Sequence, residues 1–128
     1  MTHNELTYKI IGCIFKVYNK LGPGLLECVY ERALMIELEQ AGLKARNQVY
    51  IDVPYNGVPL NLNLRLDILV ENKVIVELKS VEKMLPVFEK QLFTYLKLTN
   101  LKVGLLVNFN VENIKSGITR VVHDFHEE

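Results

Sequence analysis

The hydrophobic period changes twice along the chain, and this order of helical and extended segments limits the fold more than any other sequence feature. Apolar residues recur at helical spacing before Gly42, alternate from about Gln48 to Ser80, and return to helical spacing after Pro86. A mostly apolar segment, residues 101–107, follows the last helical pattern. We therefore predict two helices, three strands, a helix and a strand, which together make a mixed α/β domain.

Local signals mark the ends of the predicted helices. The segment Thr2-x-x-Glu5 has the spacing of a capping box, which predicts the start of the first helix. The Gly22-Pro23-Gly24 segment ends that helix, because proline and glycine interrupt helical structure. The third helix is expected from Pro86 to about Thr99.

The Asn56-Gly57 pair is typical of a two-residue hairpin turn, and it predicts how the first two strands pair. In that register Val49 lies opposite Leu64, so that apolar side chains meet across the strands. The second strand then has two faces. The apolar face is expected to hold Leu60, Leu62, Leu64, Leu66, Ile68 and Val70, and the polar face Asn61, Asn63, Arg65 and Asp67.

Charged residues on two neighbouring strands are the strongest functional candidates. Asp67 belongs to the polar face of the second strand, and Glu77 and Lys79 lie two residues apart on the third. A three-residue turn at Glu71-Asn72-Lys73 places Asp67 opposite Glu77, and the apolar pattern of both strands requires the same register. We therefore expect Asp67, Glu77 and Lys79 to converge.

Two close carboxylates raise each other's pKa unless a cation lies between them. A hard divalent cation would fit oxygen ligands of this kind, and the backbone carbonyl of Leu78 is a further candidate ligand. Lys79 would then orient a bound water or offset the charge of a phosphate. A cross-strand salt bridge between Lys79 and either carboxylate is the structural alternative.

Composition excludes several other classes of protein. The 128 residues carry 15 Lys plus Arg and 15 Asp plus Glu, which is typical of one globular domain over residues 1–128. Zero net charge means that any contact with nucleic acid must be local. The apolar runs are shorter than the ~18 residues of a membrane span, and the N-terminus lacks a signal-peptide core. We expect a cytoplasmic protein without membrane contact, in which Cys13 and Cys28 are buried free thiols.

Polar residues at helical spacing occur outside the strands. Glu27 and Tyr30 are one turn apart in the second helix, and Gln91 lies one turn before Tyr95 in the third. Taken alone, Glu27 is favoured by the helix dipole, and Gln91 is an ordinary solvated residue.

These motifs together resemble the GxxExxY proteins, a group placed in the PD-(D/E)XK nuclease superfamily. The resemblance covers about residues 6–122. It rests on Gly24-x-x-Glu27-x-x-Tyr30, on Asp67-Ile-Leu-Val with Val76-Glu-Leu-Lys79, on Gln91-Leu-Phe-Thr-Tyr-Leu96, and on Asn108-Phe109.

The resemblance implies a restriction-endonuclease-like αβββαβ core, with a mixed sheet flanked by helices and one extra N-terminal helix. It implies a nuclease that hydrolyses phosphodiester bonds of nucleic acid through a water activated by Mg²⁺ or Mn²⁺. Asp67 and Glu77 would be metal ligands, and Lys79 the catalytic lysine. Glu27 would support the metal directly or through water, and Gln91 would match the superfamily's helix residue beside the site.

Nucleic acid, DNA in particular, is the partner that the resemblance implies. A homodimer could present two sites to a duplex, as compact junction resolvases of the superfamily do. Phe88 stands where members often have His, and activity would be weaker if that His contacts phosphate or metal. A nuclease-fold module that binds nucleic acid or protein without catalysis is therefore the alternative.

Overall fold

The computed structural model describes residues 1–126, which form three α-helices and a five-stranded sheet. The helices are α1 (His3–Leu21), α2 (Glu27–Gln40) and α3 (Pro86–Thr99). The strands are β1 (Ala45–Ile51), β2 (Pro54–Tyr55), β3 (Val58–Pro59), β4 (Leu64–Val70), β5 (Val74–Lys79), β6 (Val103–Asn108) and β7 (Ile118–Val122). The predicted α/β order is confirmed. Glu127 and Glu128, part of the single domain predicted over residues 1–128, lie outside the described residues.

The helix ends follow the sequence signals. The Thr2 hydroxyl accepts the Glu5 N–H at 3.1 Å, and Glu5 Oε1 accepts the Thr2 N–H at 3.4 Å, so the predicted capping box is confirmed. Gly22 follows the last turn of α1 with a φ of 68°, a conformation that glycine adopts without strain. Pro86 is the first residue of α3, as predicted.

The sheet has the order β1-β4-β5-β6-β7, while β2 and β3 form a separate hairpin. β6 runs parallel to β5, as expected for strands joined by a crossover helix, and the other neighbours in the sheet are antiparallel. α1 and α2 cover one face of the sheet, and α3 covers the other. Gly104 permits the close approach of α3, because a Cβ there would lie 2.8 Å from Leu92 Cδ1.

The connection between β1 and β4 differs from the predicted hairpin. The Asn56-Gly57 turn forms as expected between β2 and β3. Asn61 then adopts a left-handed φ of 53°, and the residues around it leave the ladder. Val49 consequently pairs with Leu66 and not with Leu64, so the predicted register of β1 is wrong.

The apolar side chains of β4 lie on both faces of the sheet. Ile68 and Val70 pack in the cluster under α1 and α2, whereas Leu66 and Leu69 pack in the cluster under α3. The prediction of one apolar face is therefore wrong for Leu66, and also for Leu60 and Leu62, which precede β4 and are exposed. Strict alternation fails because the strand is irregular at Asp67, as described below.

Two further expectations concern the cysteines and the membrane. Cys13 is buried and free, as predicted. Cys28 is free but exposed in the first turn of α2, so its predicted burial is wrong. Among residues 1–126, no helix is long and apolar enough to cross a membrane.

Candidate active site

The turn between β4 and β5 places Asp67 beside Glu77, as expected from the sequence. The turn consists of Glu71-Asn72-Lys73, in which Glu71 and Asn72 have left-handed φ values of 53° and 51°. Ile68 pairs with Val76 in the resulting antiparallel ladder. Asp67 and Glu77 therefore lie next to Ile68 and Val76, where the pairing between β4 and β5 ends.

Side chains replace the backbone ladder at this point. A regular ladder would next join the backbones of Leu66 and Leu78. Instead, the Leu78 N–H donates to Asp67 Oδ2 at 2.8 Å, and the Asp67 N–H donates to Glu77 Oε2 at 2.7 Å. β4 and β5 thus separate into a fork between Asp67 and Glu77, which we call the carboxylate fork.

Each carboxylate of the fork keeps one oxygen open to solvent. The hydrogen bonds use Asp67 Oδ2 and Glu77 Oε2, which leaves Asp67 Oδ1 and Glu77 Oε1. Among residues 1–126, no buried side-chain oxygen lacks a hydrogen-bond partner, so both remaining oxygens are accessible. The Leu78 carbonyl faces the same fork, because the N–H and C=O of one strand residue point toward the same neighbouring strand.

Burial and nearby negative charges raise the pKa of both carboxyl groups. Glu77 is only 8% exposed, and its pKa is raised to about 8 by burial first and by the charge of Asp67 second. Burial also raises the pKa of Asp67, and the charges of Glu31 and Glu27 add to the rise. The fork therefore retains a proton near neutral pH that a divalent cation would displace.

Lys79 is the basic residue of the fork. Its charge lowers the pKa of both Asp67 and Glu77, although less than burial raises it. Its Nζ lies 4.3 Å from the centroid of the Phe88 ring, a cation–π contact that restrains the ammonium group. Within residues 1–126, Lys79 forms no ion pair with either carboxylate, so the structural alternative of a cross-strand salt bridge is not observed.

The two helix residues singled out from the sequence lie near the fork in different ways. Glu27 is the exposed first residue of α2, and its charge reaches Asp67. Gln91 is exposed on α3, and its Nε2 donates to the Tyr95 hydroxyl at 3.0 Å. Gln91 therefore contacts Tyr95, a residue within electrostatic reach of Glu77 and Asp67.

Two residues near the fork, Glu31 and Tyr95, are not predicted from the sequence. Glu31 raises the pKa of both carboxyl groups, and its own carboxylate accepts bonds from the Asn47 and Gln48 side chains at 3.1 and 2.7 Å. Its position one turn after Glu27 is the signal that could have found it. Tyr95 has a pKa raised by burial and by the two carboxylates, yet its spacing in α3 is that of an ordinary core residue.

Comparison with known proteins identifies the family. The family model described as the PD-(D/E)XK nuclease superfamily matches residues 4–121. The chain belongs to this superfamily. The solved structure of SSO0001 is similar with a TM-score of 0.57 at 21% identity, covering 78% of this chain and 52% of that chain. That likeness supports the fold alone, and the chain spans about half the length of SSO0001. No curated protein matches the chain.

The predicted superfamily and its restriction-endonuclease-like fold are thus confirmed, while assignment to the GxxExxY group stays a prediction. Members of the PD-(D/E)XK superfamily generally use divalent metals. Within residues 1–126, no three His, Cys, Asp or Glu side chains are arranged to hold a metal ion. Mg²⁺ nevertheless needs only one or two carboxylates, because it keeps several of its waters. The two accessible oxygens and the Leu78 carbonyl fit an ion of that kind.

Proposed function

We propose that the protein is a metal-dependent nuclease of the GxxExxY group that hydrolyses phosphodiester bonds of nucleic acid. The carboxylate fork is the observation that carries this proposal. It combines a buried and a half-buried carboxylate, each with one accessible oxygen, and the ammonium group of Lys79. Burial and nearby negative charges disfavour the ionised form of this pair more than its backbone hydrogen bonds favour it, so a divalent counter-ion would stabilise the site.

Asp67, Glu77 and the Leu78 carbonyl are the residues that would hold Mg²⁺ or Mn²⁺. Such an ion supplies a water of lowered pKa and stabilises charge on a phosphate. Lys79, restrained by Phe88, would orient that water or neutralise a phosphate oxygen. Glu27 would support the ion from the rim of the fork, directly or through water.

Gln91 has an indirect role in this proposal. It donates to the Tyr95 hydroxyl, and Tyr95 is buried within electrostatic reach of Glu77 and Asp67. Gln91 therefore fixes the direction in which the Tyr95 hydroxyl presents its proton beside the fork.

DNA is the proposed substrate, held by a few local contacts. Zero net charge leaves no broad attractive surface, so binding should weaken steeply with salt and should depend on residues near the fork. A homodimer could present two forks to a duplex, which sedimentation equilibrium would detect. The free thiols of Cys13 and Cys28 accord with a reducing compartment, which we take to be the cytoplasm.

A catalytically silent binding module is the second candidate. Two observations favour it: Phe88 occupies the position beside Lys79 where relatives often have His, and residues 1–126 contain no three-residue metal cluster. Such a module would retain the fold and bind nucleic acid without cleaving it.

Cleavage of defined substrates distinguishes the two candidates. Purified protein is incubated with supercoiled plasmid, single-stranded DNA and RNA, in Mg²⁺, in Mn²⁺ and in EDTA. Lys79→Ala and Glu77→Gln are compared with Lys83→Ala and Glu82→Gln, which make the same charge changes at exposed positions before α3.

We expect cleavage that requires the metal and is lost in both fork variants but retained in both counterparts. Cleavage that survives in the fork variants would indicate a contaminating nuclease and contradict the assignment. Binding of a substrate without cleavage in either Mg²⁺ or Mn²⁺ would favour the catalytically silent module.

A further inference from the structure

One buried hydroxyl holds the loop that joins α1 to α2. Tyr30 is 0% exposed, and its hydroxyl donates to the Gly22 carbonyl at 2.5 Å. The same hydroxyl accepts the Leu25 N–H at 3.1 Å. The two bonds close the loop on either side of Pro23-Gly24, so a single side chain fixes its path.

The Tyr30 ring is itself fixed to the strand that carries Lys79. It stacks on the buried Phe109 ring with centroids 4.2 Å apart and planes 4° from parallel. The Phe109 N–H donates to the Lys79 carbonyl at 3.0 Å. Tyr30 therefore connects the loop to the C-terminal end of β5, beside the carboxylate fork.

A second contact joins the same loop to β5. The Ser80 hydroxyl donates to the Leu25 carbonyl at 2.6 Å. Leu25 is thus held through its N–H by Tyr30 and through its carbonyl by Ser80. The N-cap of α2 is Leu26, which makes no side-chain capping bond, so the path of the chain into Glu27 depends on these two contacts to Leu25.

We propose that Tyr30 is a positioning residue whose hydroxyl fixes the loop before α2 and thereby holds Glu27 toward the carboxylate fork. This inference rests on the proposed function, in which Glu27 supports the ion. It also explains the spacing Gly24-x-x-Glu27-x-x-Tyr30. Gly24 has a φ of 96°, which favours glycine, and Tyr30 lies one helical turn after Glu27, so it can reach back to the loop.

Tyr30→Phe isolates the hydroxyl, because it keeps the ring that stacks on Phe109. Tyr18→Phe is the matched control, since the Tyr18 hydroxyl also donates to a backbone carbonyl, that of Val111, at 2.5 Å. The first measurement is hydrogen exchange in the metal-free protein, followed by mass spectrometry on peptides that cover residues 22–29. We expect exchange in this loop to become roughly tenfold faster in Tyr30→Phe and unchanged in Tyr18→Phe.

The second measurement is a double-mutant cycle of Tyr30→Phe with Glu27→Gln. For both single variants we expect kcat for cleavage to fall and the half-saturating Mn²⁺ concentration to rise, by roughly 10- to 100-fold. Because Tyr30 acts through Glu27, the double variant should be no worse than Glu27→Gln alone. Tyr18→Phe should keep wild-type Mn²⁺ dependence even if its melting temperature falls as much.

Unchanged hydrogen exchange in the loop of Tyr30→Phe would overturn the inference. A double variant whose loss of kcat equals the product of the two single losses would also overturn it. The outcome for the proposed function is separate. Wild-type protein that neither binds Mn²⁺ nor cleaves would refute the nuclease proposal and with it the role of Glu27 toward an ion. Loop exchange would then decide whether Tyr30 fixes the loop.

Discussion

Glu77→Gln should stabilise the metal-free protein at alkaline pH. The wild-type side chain is a buried carboxyl group whose pKa in the folded protein is about 8, against 4.5 for the ordinary group. Between these pH values the folded state binds more protons than the unfolded state, so stability falls as pH rises from about 4.5 to 8 and then levels. The amide of the E77Q variant cannot ionise, and its oxygen can still accept the Asp67 N–H.

The size of the effect follows from the rise in pKa. A rise from 4.5 to about 8 corresponds to roughly 5 kcal/mol of free energy of unfolding. Coupling of the Glu77 titration to Asp67 and local relaxation of the fork reduce that figure. We therefore expect the free energy of unfolding of E77Q to exceed that of wild type by about 2–5 kcal/mol at pH 8.5. Near pH 4 the two proteins should differ by less than about 1 kcal/mol.

Urea unfolding in EDTA, followed by circular dichroism at several pH values between 4 and 9, measures this difference. Glu82→Gln is the control, because it removes the same charge from an exposed position and should follow the wild-type profile. If the free energy of unfolding varied with pH in the same way for wild type and E77Q, the reasoning would be refuted. An E77Q protein that is less stable than wild type at pH 8.5 would also refute it.

Four further predictions concern the fork, α3 and the first helix. In wild type, Mn²⁺ at 100 times its dissociation constant should raise the free energy of unfolding by about 2.7 kcal/mol, and EDTA should reverse this; Asp67→Asn should abolish the gain in the same urea assay. Lys79→Ala should lower kcat on plasmid by roughly 10²-fold or more while Mn²⁺ affinity changes little, and a loss confined to affinity would contradict its role. Gly104→Ala should cost about 1–3 kcal/mol in thermal unfolding, because its Cβ would meet Leu92 at 2.8 Å; an unchanged melting temperature would show that α3 can shift freely. Thr2→Ala should cost about 1 kcal/mol in the same melts, and no change would mean that the capping box adds nothing in solution.

Local signals in the sequence predict most of the helices and the β4–β5 turn correctly. The Thr2 capping box and Pro86 lie at the helix starts because capping and proline preferences act within a few residues. The pairing of Ile68 with Val76 is also predictable, because two adjacent apolar strands joined by a three-residue turn have one register that buries both.

The register of β1 is not predictable in the same way. The Asn56-Gly57 turn fixes only the short hairpin next to it. Beyond the hairpin, Asn61 adopts a left-handed conformation. Each residue of β1 then pairs with a residue of β4 two positions later than predicted. Asparagine tolerates that conformation, but nothing in the alternating leucines marks where the ladder would be interrupted.

The sequence predicts that Asp67 and Glu77 lie close together, but it does not predict the hydrogen bonds of the carboxylate fork. Face and register arguments bring Asp67 and Glu77 together, as the structure shows. They do not foresee that the two side chains would capture backbone N–H groups and move Leu66 to the other face. The proximity of Glu31 to the fork depends on how α2 packs across β1, and the sequence marks only its position one turn after Glu27.

Binding of Mn²⁺ to the fork is the most direct test of the proposed cation site. The free-ion signal of a fixed Mn²⁺ concentration is followed by electron paramagnetic resonance while protein is added at pH 7.5. We expect wild type and Glu82→Gln to remove the signal with the same affinity, and Asp67→Asn and Glu77→Gln to leave it nearly unchanged. Equal binding by all four proteins, or no binding by wild type, would contradict the assignment of Asp67 and Glu77 as metal ligands.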